Sequence, residues 1–219
     1  MNDKSKRAVP TTFATPDGAA GVSLRPLAVR PLGTLFHSPH LEVDAAELAW
    51  PARQAAAEAG GTVRHVHYRV LRRDAVGVLI HDRGRDAFVL VEQFRYPAAA
   101  KGEPVLLEIP AGCIEDGESP EETALREVRE EAGAAIGALE PIGLAFASPG
   151  YSDERLHLFF AVCEELVDAG GGADVGEHTR RRLVPRSEAA RLLASGGIRD
   201  LKTLAALAWF FWREEAGHR

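Results

Sequence analysis

Residues 112–134 read GCIEDGESPEETALREVREEAGA, and that stretch decides the fold. Ser119 is an N-cap residue, Pro120 suits the first helical position, Glu121 and Glu122 suit the positive helix end, and Gly133 stops the helix. At ~100° per residue, Ala124, Val128, Ala132 and Leu125 share one arc, and Glu131, Glu127 and Glu130 fill the arc beside it. The apolar arc packs on a sheet, so the carboxylates are expected at the rim of a cleft. Three carboxylates this close repel one another unless a cation lies among them. Hard oxygen ligands in this number match Mg²⁺ or Mn²⁺ rather than zinc. Magnesium keeps waters and binds substrate phosphates, which points to phosphate chemistry. Arg126 flanks the stripe, where it can pair with Glu118 or Glu130 and hold the ligands in place.

Charge singles out the same segment. Between Glu115 and Glu131 there are eight acids and two bases, a net of −6, and the whole chain of 219 residues carries −6. Like charges packed this densely destabilise a fold unless something neutralises them. No basic patch of comparable density appears, so a nucleic-acid partner is not expected. Hydrophobic residues make up 46% and charged residues 26%, enough apolar material to fill a core. The longest apolar run, Leu204 to Trp212, falls far short of the ~18 residues that span a bilayer. No apolar stretch follows the charged opening residues, so a secretory signal is not expected. Two cysteines, Cys113 and Cys163, build neither a disulfide framework nor a zinc site. The chain reads as soluble and cytoplasmic, with no membrane partner.

Working outward, residues 74–80 and 87–94 are apolar runs joined by the polar turn at 82–86, a hairpin. Strands are also expected within 33–50 and 65–70, and over 105–109, 156–162 and 180–184. Helices are expected over 187–195 and 201–215, the second capped by Asp200. Residues 52–61 fit a helical turn or a loop equally. Residues 1–31 lack any period and are expected to be a flexible segment. Residues 32–70 read as a small β-rich subdomain, and 71–216 as the main domain. Strands that bracket one helix and then end in helices give an α/β sandwich with a mixed sheet.

Gly112, Glu118 and the run from Arg126 to Ala134 resemble the Nudix box throughout, and the chain is similar to Nudix hydrolases over residues 34–215. The resemblance implies the Nudix α/β/α sandwich, preceded by a small amino-terminal β segment. Residues 92–97 (EQFRYP), 107–112 (LEIPAG) and 148–154 (SPGYSDE) look like the branch that hydrolyses ADP-ribose and related nucleoside diphosphate sugars. Residues 68–76 and 197–203 look as much like bacterial GDP-mannose pyrophosphatases. The implied activity is Mg²⁺- or Mn²⁺-dependent hydrolysis of a nucleoside diphosphate sugar, ADP-ribose first and GDP-mannose as the alternative. A non-catalytic nucleotide-sugar binding module is the alternative of another class.

Carried over residue by residue, the resemblance implies that Glu127 and Glu131 ligate two to three ions, with Glu130 and the Ala111 carbonyl assisting. Arg126 orders those ligands, while Gly112, Glu118 and Gly133 shape the loop. Arg95 contacts the pyrophosphate, Glu108 and Trp50 belong to the substrate-binding set, and Lys202 reaches a phosphate or sugar. Trp50, Phe36 and Tyr96 are the candidates for stacking on the base. The family takes a further carboxylate, as ligand or base, from a loop after the sheet, which here spans 170–176 with Glu177 as the candidate. This chain is sparse in acids there, with Asp174 and Glu177 followed by His178, a departure that bears on the general base. The resemblance also implies a homodimer, with residues 32–70 serving dimerisation and substrate contact.

Overall fold

The computed structural model describes residues 26–38, 41–51, 62–172 and 178–217. Two compact units divide the chain, one formed by Met1–Arg72 with Gly150–Asp153, the other by Arg73–Pro149 with Glu154–Arg219.

The first unit is an antiparallel sheet of three strands in sequence order: β1 (Ala28–His37), β2 (Glu42–Pro51) and β3 (Thr62–Leu71). Strand β1 begins earlier than its composition suggests. Ala28 to Pro31, expected within a loose segment, pair with Ala49 to Ala46, and even the Leu27 N–H reaches the Ala49 carbonyl. Pairing with a ready neighbour overrides the weak strand signal of a stretch that contains Pro31. Cross-strand ion pairs line this sheet, with Glu47 accepting from both Arg30 and Arg64. The returning segment Tyr151–Asp153 hydrogen-bonds to Val70 and, through the Asp153 carboxylate, to the Arg72 N–H.

The second unit is built on a mixed sheet of eight strands. Its path runs β11 (Thr179–Pro185), β5 (Ala87–Phe94), β4 (Ala75–Asp82), β10 (Arg155–Leu166) and β8 (Ala134–Ile136). Strands β4 and β10 are parallel; the others pair antiparallel. Strand β9 (Glu140–Phe146) borders β10. Two short strands, β6 (Val105–Glu108) on β5 and β7 (Ala111–Cys113) on β4, share the sheet's central gap. Residues 111–113 read as loop in the sequence; pairing with Ala75–Gly77 makes them strand.

Strands β4 and β5 read as unbroken apolar runs because both faces are covered. On one face α2 (Pro120–Ala132) lays Ala124, Val128 and Ala132 against Val76, Val78, Ile80, Val89 and Val91. On the other, α3 (Arg186–Ala194) and α4 (Leu201–Glu215) cover Leu79, Phe88, Leu90 and Phe160 with Ala189, Leu207 and Phe210. The result is the expected α/β/α layering with a mixed sheet. Of the aromatic run on α4, Phe210 is core while Trp212 is exposed. A one-turn helix, α1 (Tyr96–Ala99), and strands β8 and β9 carry too little periodic signal to be read from sequence. No helix among the described residues is long and apolar enough to cross a membrane.

Candidate active site

Helix α2 starts on a capping box. The Glu122 N–H donates to Ser119 Oγ at 3.1 Å, and the Ser119 N–H donates back to Glu122 Oε2 at 2.8 Å. It ends on Gly133, whose φ of 58° is left-handed. Between these ends the helix is rolled further than its apolar arc suggests. Leu125, expected against the sheet, is 49% exposed, whereas Glu127 (8%) and Glu131 (2%) are buried together with Thr123. The cause is the segment from β6 to β7, which lies over the acidic edge and turns a rim of carboxylates into a covered one.

Two contacts fix that cover. The Ala111 N–H donates to Glu131 Oε2 at 2.8 Å. The Glu127 carboxylate occupies the space where any side chain at Gly112 would stand. Ala111 thus reaches Glu131 through its amide N–H, whereas the part the family resemblance implies for it is that of its carbonyl.

Arg126 ties the stripe together. It donates Nε to Glu118 Oε1 (2.9 Å), Nη2 to Glu118 Oε2 (3.0 Å), and Nη1 to both Glu127 Oε1 (2.7 Å) and Glu130 Oε2 (3.1 Å). The sequence offers Glu118 or Glu130 as its partner; the fold supplies both, and Glu127 besides. This guanidinium, with the Thr123 hydroxyl, brings the Glu118 carboxyl down from 4.5 to about 2. Hydrogen bonding to Glu118 in turn pushes Arg126 above its ordinary range. Three carboxylates sharing one guanidinium leave this cluster with an excess of negative charge.

A second cluster borders the first. Arg95 grips Glu108 with both ends of its fork, Nε to Oε1 and Nη2 to Oε2, each at 2.8 Å. Lys202 Nζ donates to the same Oε2 and, at 3.0 Å, to Asp200 Oδ1. Burial alone raises the Glu108 carboxyl, but Arg95 and Lys202 outweigh it and hold it below its ordinary value. Hydrogen bonding to Glu108, reinforced by the charges of Glu131 and Asp200, holds Arg95 above its own. The influence of Glu131 on Arg95 joins the two clusters.

The family model described as NUDIX domain matches residues 71–207. The chain belongs to the Nudix family. A GDP-mannose pyrophosphatase of Pectobacterium atrosepticum is 38% identical over 151 residues, covering 68% of this chain and 78% of that protein. An ADP-ribose pyrophosphatase of Bacillus subtilis (strain 168) is 36% identical over 141 residues, 64% of this chain and 73% of that protein. The ADP-ribose pyrophosphatase of Escherichia coli (strain K12) is 35% identical over 161 residues, 71% and 77% of the two chains. A crystal structure of an ADP compounds hydrolase superposes with a TM-score of 0.68, covering 92% of this chain and 100% of that one at 22% identity, a likeness of fold.

Nudix proteins of this kind work with a divalent cation, and the donor set here fits one. Glu127, Glu130 and Glu131 offer hard oxygens, the first two already converge on one nitrogen, and Gly112 leaves the Glu127 carboxylate its room. Among the described residues no group of three or more acids, histidines or cysteines is drawn together tightly enough to hold an ion outright. Arg126 stands among the Nudix acids instead, supplying the positive charge that a cation would share with it.

The other expected residues fall in different places. Trp50 lies opposite Val63 in the three-stranded sheet of the first unit. Phe36 of that unit and Tyr96 at the start of α1 are exposed. Glu177 and Asp174 lie outside the described residues. The start of their loop is anchored to the Nudix helix: the N–H groups of Gly171 and Gly172 donate to the carbonyls of Glu131 and Glu130, and Arg181 Nη1 donates to the Ala132 and Asp168 carbonyls. Sequence reasoning misses Thr203. Its hydroxyl accepts from the Ile109 N–H at 2.7 Å and donates to Asp200 Oδ2 at 2.6 Å, so α4 holds the chain just before Ala111. The signal is the spacing Asp200-x-x-Thr203, which in the sequence marks only a helix start.

Proposed function

We propose that this Nudix protein hydrolyses the P–O–P linkage of a nucleoside diphosphate sugar, with ADP-ribose converted to AMP and ribose 5-phosphate. The observation that carries the reading is a buried carboxylate pair, Glu127 and Glu131, with Glu130 beside it and one guanidinium, Arg126, shared among Glu118, Glu127 and Glu130. An excess of buried negative charge is costly unless a cation completes it, which is why the site suits a metal-bridged diphosphate.

In this reading Glu127, Glu130 and Glu131 hold Mg²⁺ or Mn²⁺, with two to three ions in the working complex. When bound, the metal neutralises charge developing on the phosphoryl oxygens and makes water more acidic. Arg126 keeps the three acids in register. Arg95 presents its guanidinium to the pyrophosphate. Water adds to one phosphorus, the bridging P–O bond breaks, and the leaving phosphate departs with the electron pair. Glu177 takes the proton of the attacking water.

A second substrate reading is favoured by the relative from Pectobacterium atrosepticum, a GDP-mannose pyrophosphatase at 38% identity. A non-catalytic binding module is disfavoured by a box that keeps Gly112, Glu118, Arg126, Glu127, Glu130 and Glu131. A homodimer belongs to the proposal as well. The first unit exposes Leu35, Phe36, Val66 and Tyr68, apolar surface that a second copy would cover.

The test is product identification with Mg²⁺ on ADP-ribose and GDP-mannose side by side. AMP from the first, at a rate above GMP from the second, supports the reading. A faster GMP release gives the substrate to the alternative, and nucleotide binding without any cleavage overturns the hydrolase.

A further inference from the structure

The part expected of Lys202 is a direct substrate contact, and its surroundings point elsewhere. Its side chain is 11% exposed, and its ammonium is committed to two carboxylates, Glu108 and Asp200. Arg95 differs. Its side chain is 39% exposed, it spends Nε and Nη2 on Glu108, and among the described residues its Nη1 carries no hydrogen bond. Glu108 therefore stands between two cations, one facing outward and one sealed behind.

We propose that Lys202 is a positioning residue for the reaction: by neutralising Glu108 from the buried side, it leaves the Arg95 guanidinium its positive character toward the pyrophosphate. This rests on the hydrolase reading above and deepens it. Charge balance is the reason. Arg95 and Lys202 against Glu108 and Asp200 make a neutral group of four, and removing Lys202 leaves it at −1 in a poorly solvated place. Arg95 would then be fully matched by its own carboxylate, and an incoming diphosphate would meet net repulsion. The geometry is held firmly: Asp200 caps α4 through the Thr203 N–H at 2.9 Å, which fixes the carboxylate that shares Lys202. The same helix start holds the Ile109 N–H through Thr203, so Glu108 is anchored from two sides.

A double-mutant cycle separates this from a direct contact. ADP, which presents the same diphosphate, is titrated by calorimetry in Mg²⁺ against wild type, Lys202→Met, Glu108→Gln and the double variant, with KM and kcat measured on the sugar nucleotide hydrolysed. Lys202→Met is expected to weaken ADP binding about tenfold and to raise KM alike, with kcat within about threefold. In the Glu108→Gln background the same change is expected to cost less than about twofold, because the charge it answers is gone. An equal loss in both backgrounds would make Lys202 a substrate contact and overturn the proposal. So would a lowered melting temperature with unchanged KM and ADP affinity, the mark of a purely structural lysine. Should Lys202→Met not fold, Lys202→Gln, which keeps a donor for Glu108 without the charge, carries the cycle. Wild type that binds neither ADP nor GDP and cleaves neither sugar nucleotide overturns the hydrolase reading itself, an outcome distinct from every result of the cycle.

Discussion

A Cβ at Gly112 would lie 2.6 Å from Glu127 Oε2 and closer still to Oε1 and Cδ. The atoms it would strike are the far end of a flexible side chain, so a larger residue displaces the carboxylate and leaves the backbone in place. Gly112→Ala is therefore expected to fold with nearly wild-type stability while losing on the order of 10–100-fold in Mg²⁺ affinity or activity. Urea unfolding beside a Mg²⁺ titration of turnover checks this. Normal Mg²⁺ dependence in the variant would remove Glu127 from the ligand set.

Glu127→Gln separates stability from function in the same way. The substitution takes one negative charge out of a cluster in which Glu118, Glu127 and Glu130 share Arg126. Without metal, the melting temperature is expected to hold or rise, since like charges are relieved. With metal, the stabilisation that a bound ion gives by mass action should shrink, and kcat should fall at least about 100-fold. Thermal melts with and without Mg²⁺, alongside initial rates, measure both. A full Mg²⁺ shift in the variant would place the ion elsewhere.

The layers and the acidic helix are legible in the sequence because their signals are local. Ser119, Pro120 and Gly133 bound α2 as the capping and stop rules require, and the apolar runs of β4 and β5 fit strands covered on both faces. The features that escape reading depend on distant parts of the chain meeting. Residues 111–113 become strand only because β4 lies beside them, and the roll of α2 that buries Glu131 and exposes Leu125 comes from the same strap. Lys202 reads in sequence as a substrate contact at a helix start, and nothing within α4 announces Glu108, ninety-four residues away. Thr203 is invisible for the same reason.

Glu118 gives the site a pH signature. Arg126 and Thr123 hold its carboxyl at about 2, below the ordinary 4.5. A depressed carboxylate stabilises the fold above its unfolded value, and that contribution is lost as pH falls through the folded one. The Glu118–Arg126 contribution is thus complete above about pH 4.5 and fades from there towards about pH 2. Urea midpoints of wild type and Glu118→Gln are expected to differ at pH 7 and to converge as pH falls through this window. A difference that stays constant down to the acid end would mean the pair contributes nothing specific.

Gly133 closes α2 at φ 58°, and a Cβ there would come within 2.6 Å of the Gly170 N–H nitrogen and the Asp168 carbonyl. Both are backbone atoms of the segment anchored to the helix end, so they cannot swing aside. Gly133→Ala is expected to cost about 1–3 kcal/mol from left-handed strain alone. Unlike Gly112→Ala, it should lower the unfolding midpoint in chemical denaturation before it touches Mg²⁺ dependence. A variant as stable as wild type would mean the helix end can re-form in another conformation.

Thr203→Val tests how α4 governs the strap over the acids. Valine keeps the shape of threonine but removes the hydroxyl that accepts the Ile109 N–H, leaving that donor orphaned in the core. An unsatisfied buried donor costs about 1–3 kcal/mol. The helix start itself should survive, because Asp200 Oδ2 still accepts the Thr203 backbone N–H. The loss therefore falls on Ile109 and on the two residues after it, Pro110 and Ala111, whose N–H holds Glu131. Activity is expected to drop with stability, and Thr203→Ser, which restores the hydroxyl, to recover most of both. Denaturation and Mg²⁺-dependent rates of the two variants decide the matter: if serine rescues neither, the strap is held by the methyl packing of Thr203 and not by its hydroxyl.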